Sequence, residues 1–159
     1  MPIPDDQAPW VVRTDFSNNA TWDLLKRLIA APQTEPFSSL EFSANVRFVE
    51  ERTYENLTSQ KMVELLPEDY PGYLLFLVDD QTIHRPMQPI LVVDFSPSWN
   101  ESPAGENDIQ KRNACDPLTF RAIPSTIQSI ENNLSLGNMD FHDFAAAVSD
   151  DGIFRGFPG

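Results

Sequence analysis

Cysteine occurs once in this chain of 159 residues, at Cys115, so no internal disulfide can form and no cysteine-built zinc site is available. Histidine occurs twice, at His84 and His142, with no second histidine at ligand spacing. A zinc site is therefore not expected. Basic residues number 11 against 24 acidic ones, a formal net charge of −13. Nucleic acid and anionic membrane surfaces are both held by neutralising phosphates with Lys and Arg, so neither suits this surface. Long apolar runs are also missing. The longest, at Tyr73–Val78 and Ile90–Val93, are far too short to span a bilayer. The opening Met1–Ala8 is polar and proline-rich and lacks the apolar core of a signal peptide, so a cytoplasmic protein is expected. No P-loop, G-x-G-x-x-G, H-E-x-x-H, EF-hand loop or G-x-S-x-G occurs, so no nucleotide, redox or metal cofactor is expected.

What is present is an ordinary globular composition, 41% apolar, with length for one core. Residues 1–8 read as a flexible tail and 9–159 as one domain. Trp10–Thr14 reads as a short strand. The polar run Ser17-Asn18-Asn19 offers N-caps for an amphipathic helix over 19–30, marked by Trp22, Leu25, Leu28 and Ile29 and ended by Pro32. Residues 33–43 read as a loop and Val46–Val49 as a strand. Thr58 caps a second helix that stops at Pro67, with Leu57 and Met62 spaced as a hydrophobic staple.

The apolar runs at 73–78 and 90–93 read as strands buried on both faces. The connection from Asp79 to Pro89 is too short for a crossover helix, so the second of these strands can pair antiparallel to the first. Residues 96–117 carry three prolines and little apolar character, a long insertion that is either a lid or a passive loop. Thr119–Ile123 reads as a last strand. Ser125 and Gln128 have capping-box spacing for a helix to about Leu134, broken at Gly137 or Asn138. Phe141, Phe144, Ala145 and Val148 mark a final helix, and the aromatics of Ile153–Phe157 tie the end to the core. Together these predict a three-layer α/β domain with a mostly parallel sheet of about five strands and flanking helices.

Four ordered segments carry a resemblance: Arg13–Phe16, Leu91–Asp94, Glu131–Ser135 with Asn138–Phe141, and Asp151–Phe157. Over residues 10–157 the chain resembles an uncharacterised family of small domains, a domain of unknown function frequent in actinomycetes. The resemblance implies a fold more than an activity.

In open α/β sheets ligands bind outside the carboxyl ends of the strands. Acidic residues follow each strand here: Asp15, Glu50 with Glu51, Asp79 with Asp80, and Asp94. An antiparallel strand would carry Asp94 to the opposite edge. These carboxylates could hold a hard cation, share a proton for acid–base work, or pair with Arg13, Arg121 or Arg155 and hold the fold. The candidate catalytic residues are Asp15 and Asp94, with His84 as a base reaching the edge from its loop. The candidate substrate-binding residues are Arg13, Arg155, the amides Asn132 and Asn133, and Trp99, the one tryptophan in polar sequence.

Two functions fit. One is a small-molecule-binding domain or cofactor-independent, non-redox enzyme of isomerase, lyase or cyclase type, acting on an apolar small molecule in a pocket at the strand carboxyl ends. The other is an acidic interaction or inhibitor domain, of immunity type, that meets a basic protein partner without chemistry.

Overall fold

The computed structural model describes residues 7–34, 40–96 and 117–157. Strands are β1 (Trp10–Arg13), β2 (Gln33–Thr34), β3 (Glu41–Phe42), β4 (Arg47–Val49), β5 (Leu74–Val78), β6 (Ile90–Asp94), β7 (Leu118–Ala122) and β8 (Ile153–Phe154). Helices are α1 (Asn19–Ala30), α2 (Ser59–Leu65), α3 (Asp80–His84), α4 (Ile127–Ser135) and α5 (Phe141–Ala145). The main sheet has the order β4-β1-β5-β6-β7-β8, and β2 and β3 pair separately. Pairings β1–β4, β1–β5 and β7–β8 are parallel, and β6 is antiparallel to both of its neighbours. β6 alone is therefore reversed, and the sheet is mostly parallel, with β4 and β8 at its edges.

Alternation along the strands feeds two cores. Val11, Phe76, Val78, Ile90 and Val92 face one side, where they meet Trp22, Leu25 and Ile29 of α1 and Phe144 of α5. Val12, Leu75, Leu77 and Val93 face the other, where they meet Met62 and Val63 of α2. Each fully buried aliphatic or aromatic side chain contributes about 1.5–3 kcal/mol. From β1 to β4 the chain moves one way along the sheet, and from β4 to β5 it moves back past β1. Right-handed crossovers then require α1 and α2 on opposite faces, which makes three layers.

Asn18 caps α1 by accepting from Thr21 N, and Thr58 caps α2 by accepting from Lys61 N. Leu28 differs from expectation: it lies with Leu24 on the half-exposed side of α1. The 79–89 connection holds a helix after all, the five-residue α3, too short for periodicity to reveal and too short to cross the sheet. α4 is entered through a 3-10 turn at Pro124–Thr126, without a side-chain cap from Ser125. The final helix starts from a capping box formed by Asp140 and Asp143 and closes at Ala145, short of the expected Val148. Ala8, assigned to the tail on sequence, is buried. The 96–117 insertion lies, apart from its end residues, outside the described residues. No described helix is long and apolar enough to cross a membrane.

Candidate functional site

The carboxyl edge of β1, β4 and β5 gathers Arg13, Asp15, Glu50, Asp79 and His84, and most of these groups bind one another. Arg13 is buried at the end of β1. Its Nε donates to the Asp15 carbonyl, Nη1 to Glu50 Oε2 at 3.2 Å, and Nη2 to Asn19 Oδ1 at 2.8 Å. The Phe16 ring meets two guanidiniums, Arg13 and Arg52, each 4.5 Å from its centre. One Asp15 oxygen accepts from the backbone N–H and hydroxyl of Ser17, a local turn. His84 approaches the other oxygen at 3.9 Å, but its ring is largely exposed and its Nδ1 lies 2.8 Å from the Asp80 carbonyl oxygen.

Asp79 caps α3 by accepting from Thr82 N, and both its oxygens accept from Arg121, at 2.9 and 2.7 Å. Burial opposes its ionisation, yet the hydrogen bonds from Arg121 and Thr82 together hold its carboxyl below the usual range. The crevice between β1 and β5 is closed by Thr14 N and Asp15 N, which both donate to the Val78 carbonyl. Of the three sequence readings of these carboxylates, pairing that holds the fold is the one their contacts describe. No group of three or more potential metal ligands occurs among the described residues.

Asp94 is not there. β6 is antiparallel to β5, so its carboxyl end lies at the opposite edge, paired with Leu74 and Leu118. Asp15 and His84 therefore share no site with Asp94. The reason is the short connection before β6, which returns the chain as a hairpin and not as a crossover. Asn132 and Asn133 belong to the end of α4. Asn132 Nδ2 donates to the Ser43 carbonyl at 3.2 Å and its Oδ1 accepts from Gln128. Asn133 Nδ2 donates to Ser129 O, while its own carbonyl accepts from Asn138 N at 3.0 Å. Arg155 grips Asp151 through two contacts of 2.9 and 2.6 Å on the surface. Trp99 lies outside the described residues.

Open space lies around Asp94. A groove of about 450 Å³ runs between the start of β5, the end of β6 and the α4–α5 corner. Its apolar walls are Tyr73, Leu74, Leu134, Met139 and Phe141, and Asp94, Ser96, Ser135 and Asp140 add polar groups. Tyr70 anchors Leu74, one of the groove residues. Its buried hydroxyl donates to Leu74 O at 2.6 Å and accepts from Trp10 N at 2.8 Å, joining the start of β1 to the start of β5. Burial holds this phenol well above its ordinary pKa. Trp10, Tyr73 and Phe95 pack around the connecting segment, with Tyr73 edge-on to Phe95 at 5.8 Å between ring centres. Tyr70→Phe should lower stability by about 1 kcal/mol in denaturant unfolding, since it takes a hydrogen-bond partner from the half-buried Trp10 N–H and Leu74 carbonyl. A loss below about 0.5 kcal/mol would mean water replaces the hydroxyl.

Glu131, which had no assigned role on sequence beyond its place in a motif, is a buried carboxylate behind this wall. Its Oε1 accepts from Asn45 N at 2.6 Å, and Oε2 from Asn132 Nδ2. Burial raises its pKa, against hydrogen bonds from Asn45, Asn132 and Ser135. Its contribution to stability is present below the ordinary glutamate range and falls as pH rises through the raised value. Wild type should therefore lose stability relative to Glu131→Gln as pH rises above the ordinary glutamate range, with a pH-independent difference counting against this.

The family described as a domain of unknown function, DUF6924, matches residues 8–157. The chain belongs to the DUF6924 family. The match runs through every described strand and helix, including the segments on both sides of the groove. No curated protein and no solved structure matches this DUF6924 chain.

Proposed function

We propose that the protein is a small-molecule-binding domain whose site is the groove at the end of β6. The observation that supports this reading is the cavity itself, about 450 Å³ with mainly apolar walls and a few polar groups at its ends. That volume and composition are typical of small-molecule sites. Four separated segments form the groove: residues 7–9, 71–74, 94–96 and 134–141. The groove is thus assembled from segments distant in sequence, at the ends of β6 and α4 and the starts of β5 and α5. Binding is favoured over proton-transfer catalysis because the acid–base trio Asp15, His84 and Asp94 is divided between two sheet edges.

Native mass spectrometry of the full chain isolated gently from cells tests this. A co-purifying mass of small-molecule size is expected, and Leu134→Arg, which drives a charge into the apolar wall, should remove it. An adduct that survives this substitution in a folded protein would place the ligand elsewhere. A bound basic protein, released as salt rises, would replace this reading with an interaction domain.

A further inference from the structure

We propose that the ligand of this groove is an apolar molecule bearing an ammonium group, with Asp94 as the counter-charge. This rests on the small-molecule reading of the groove and assigns its chemical class. Among the described residues lining the groove, the charged ones are Asp94 and Asp140, and none is Lys, Arg or His. Asp140 is engaged in the cap of α5, where its side chain accepts a backbone N–H. Asp94 is different. One oxygen accepts from Ser96 N at 2.8 Å, and the other has no partner among the described residues. Its backbone is held in the ladder between Leu74 and Leu118, so the carboxylate is set on a rigid strand end.

Charge then selects the occupant. A neutral apolar ligand would desolvate Asp94 without replacing its water. An anion would meet like charge from Asp94 and Asp140, with Glu131 one hydrogen bond behind Ser135. An ammonium donates a charge-assisted hydrogen bond to Asp94, while its hydrocarbon lies along Leu134 and Met139. Tyr73, 46% exposed at the rim, offers a ring face to the same cation. The net charge of −13 raises the local concentration of cations.

Three matched probes decide this by calorimetry on the full chain at low salt: 4-phenylbutylamine, 4-phenylbutanol and 4-phenylbutyrate. The amine should bind about tenfold tighter than the alcohol, and the carboxylate weakest. Asp94→Asn keeps the size and the Ser96 contact. It should weaken the amine about tenfold and leave the alcohol within about twofold. Equal binding of amine and alcohol, or an unchanged amine affinity in Asp94→Asn, overturns the ammonium and leaves the groove. No binding by any probe in folded protein overturns the groove as well. A lysine-rich peptide that binds more tightly than the amine and competes with it would assign the cation to a protein partner and overturn the small ligand.

Discussion

Phe144→Ala is expected to lower the unfolding free energy by about 4 kcal/mol. Phe144 is fully buried and central to an aromatic cluster. Phe154 and Phe157 each lie 5.3 Å from its ring centre, and Phe120 stacks at 6.5 Å. Truncation removes the transfer contribution of the ring and leaves a cavity that these neighbours cannot close without leaving their own contacts. α5 is only five residues long and has no stability of its own, so Phe144 and Phe141 hold it in place. Its loosening would move Met139, Asp140 and Phe141, which line the groove. Urea unfolding should show the lower midpoint, and ligand affinity should fall with it. Phe144→Leu should recover about half of the loss. A change below about 1 kcal/mol for the alanine variant would mean the aromatic cluster contributes little.

Asp79→Ala comes next, with an expected loss of about 3 kcal/mol. Two effects add. The helix α3 loses its N-cap, worth about 1 kcal/mol. Arg121, whose side chain is only 14% exposed, loses its bidentate partner and is left as an uncompensated charge against the sheet. The second effect is the larger, so it predicts a rescue: adding Arg121→Met to Asp79→Ala should restore part of the lost stability. If the double variant is less stable than the single one, the unpaired charge is not the cause. The same pair sets a pH dependence. The folded pKa of Asp79 lies below its ordinary value, so its contribution is complete above the usual carboxylate range. It is lost as pH falls through the lowered value. Wild type and Asp79→Asn should therefore approach each other in stability as acid is added, and a constant gap would contradict the assignment.

Much of the frame was legible because it depends on local signals. The boundaries of α1 follow from Asn18, from the spacing of Trp22, Leu25 and Ile29, and from Pro32. The reversal of β6 follows from the length of its connection alone. The site was less legible, for two physical reasons. First, an aspartate after a strand looks the same whether it is a catalyst, a cap or an ion-pair partner. Asp79 and Asp15 are told apart from catalytic acids only by Arg121, Thr82 and Ser17 around them. Second, the groove joins four segments, and none of them has a pattern of its own. Asp94 stands out on sequence beside Asp15, and its edge depends on the direction of its strand; the antiparallel β6 carries it to the opposite one. Asn132 and Asn133 do not line the groove; Leu134 and Ser135 beside them do. Glu131 sits in polar sequence that reads as surface, and only the Asn45 N–H reaching it from a distant loop explains its burial.

The sheet ends on very short strands. β4 has three residues and β8 has two, while the five-residue strands β5, β6 and β7 lie inside with neighbours on both sides. A border of two or three residues presents few unpaired N–H and carbonyl groups, and Arg47 puts a charge on one of them. A second copy would find almost no template on which to extend the sheet. Strand addition, the usual hazard of an open sheet, is thereby disfavoured at both borders of the described sheet.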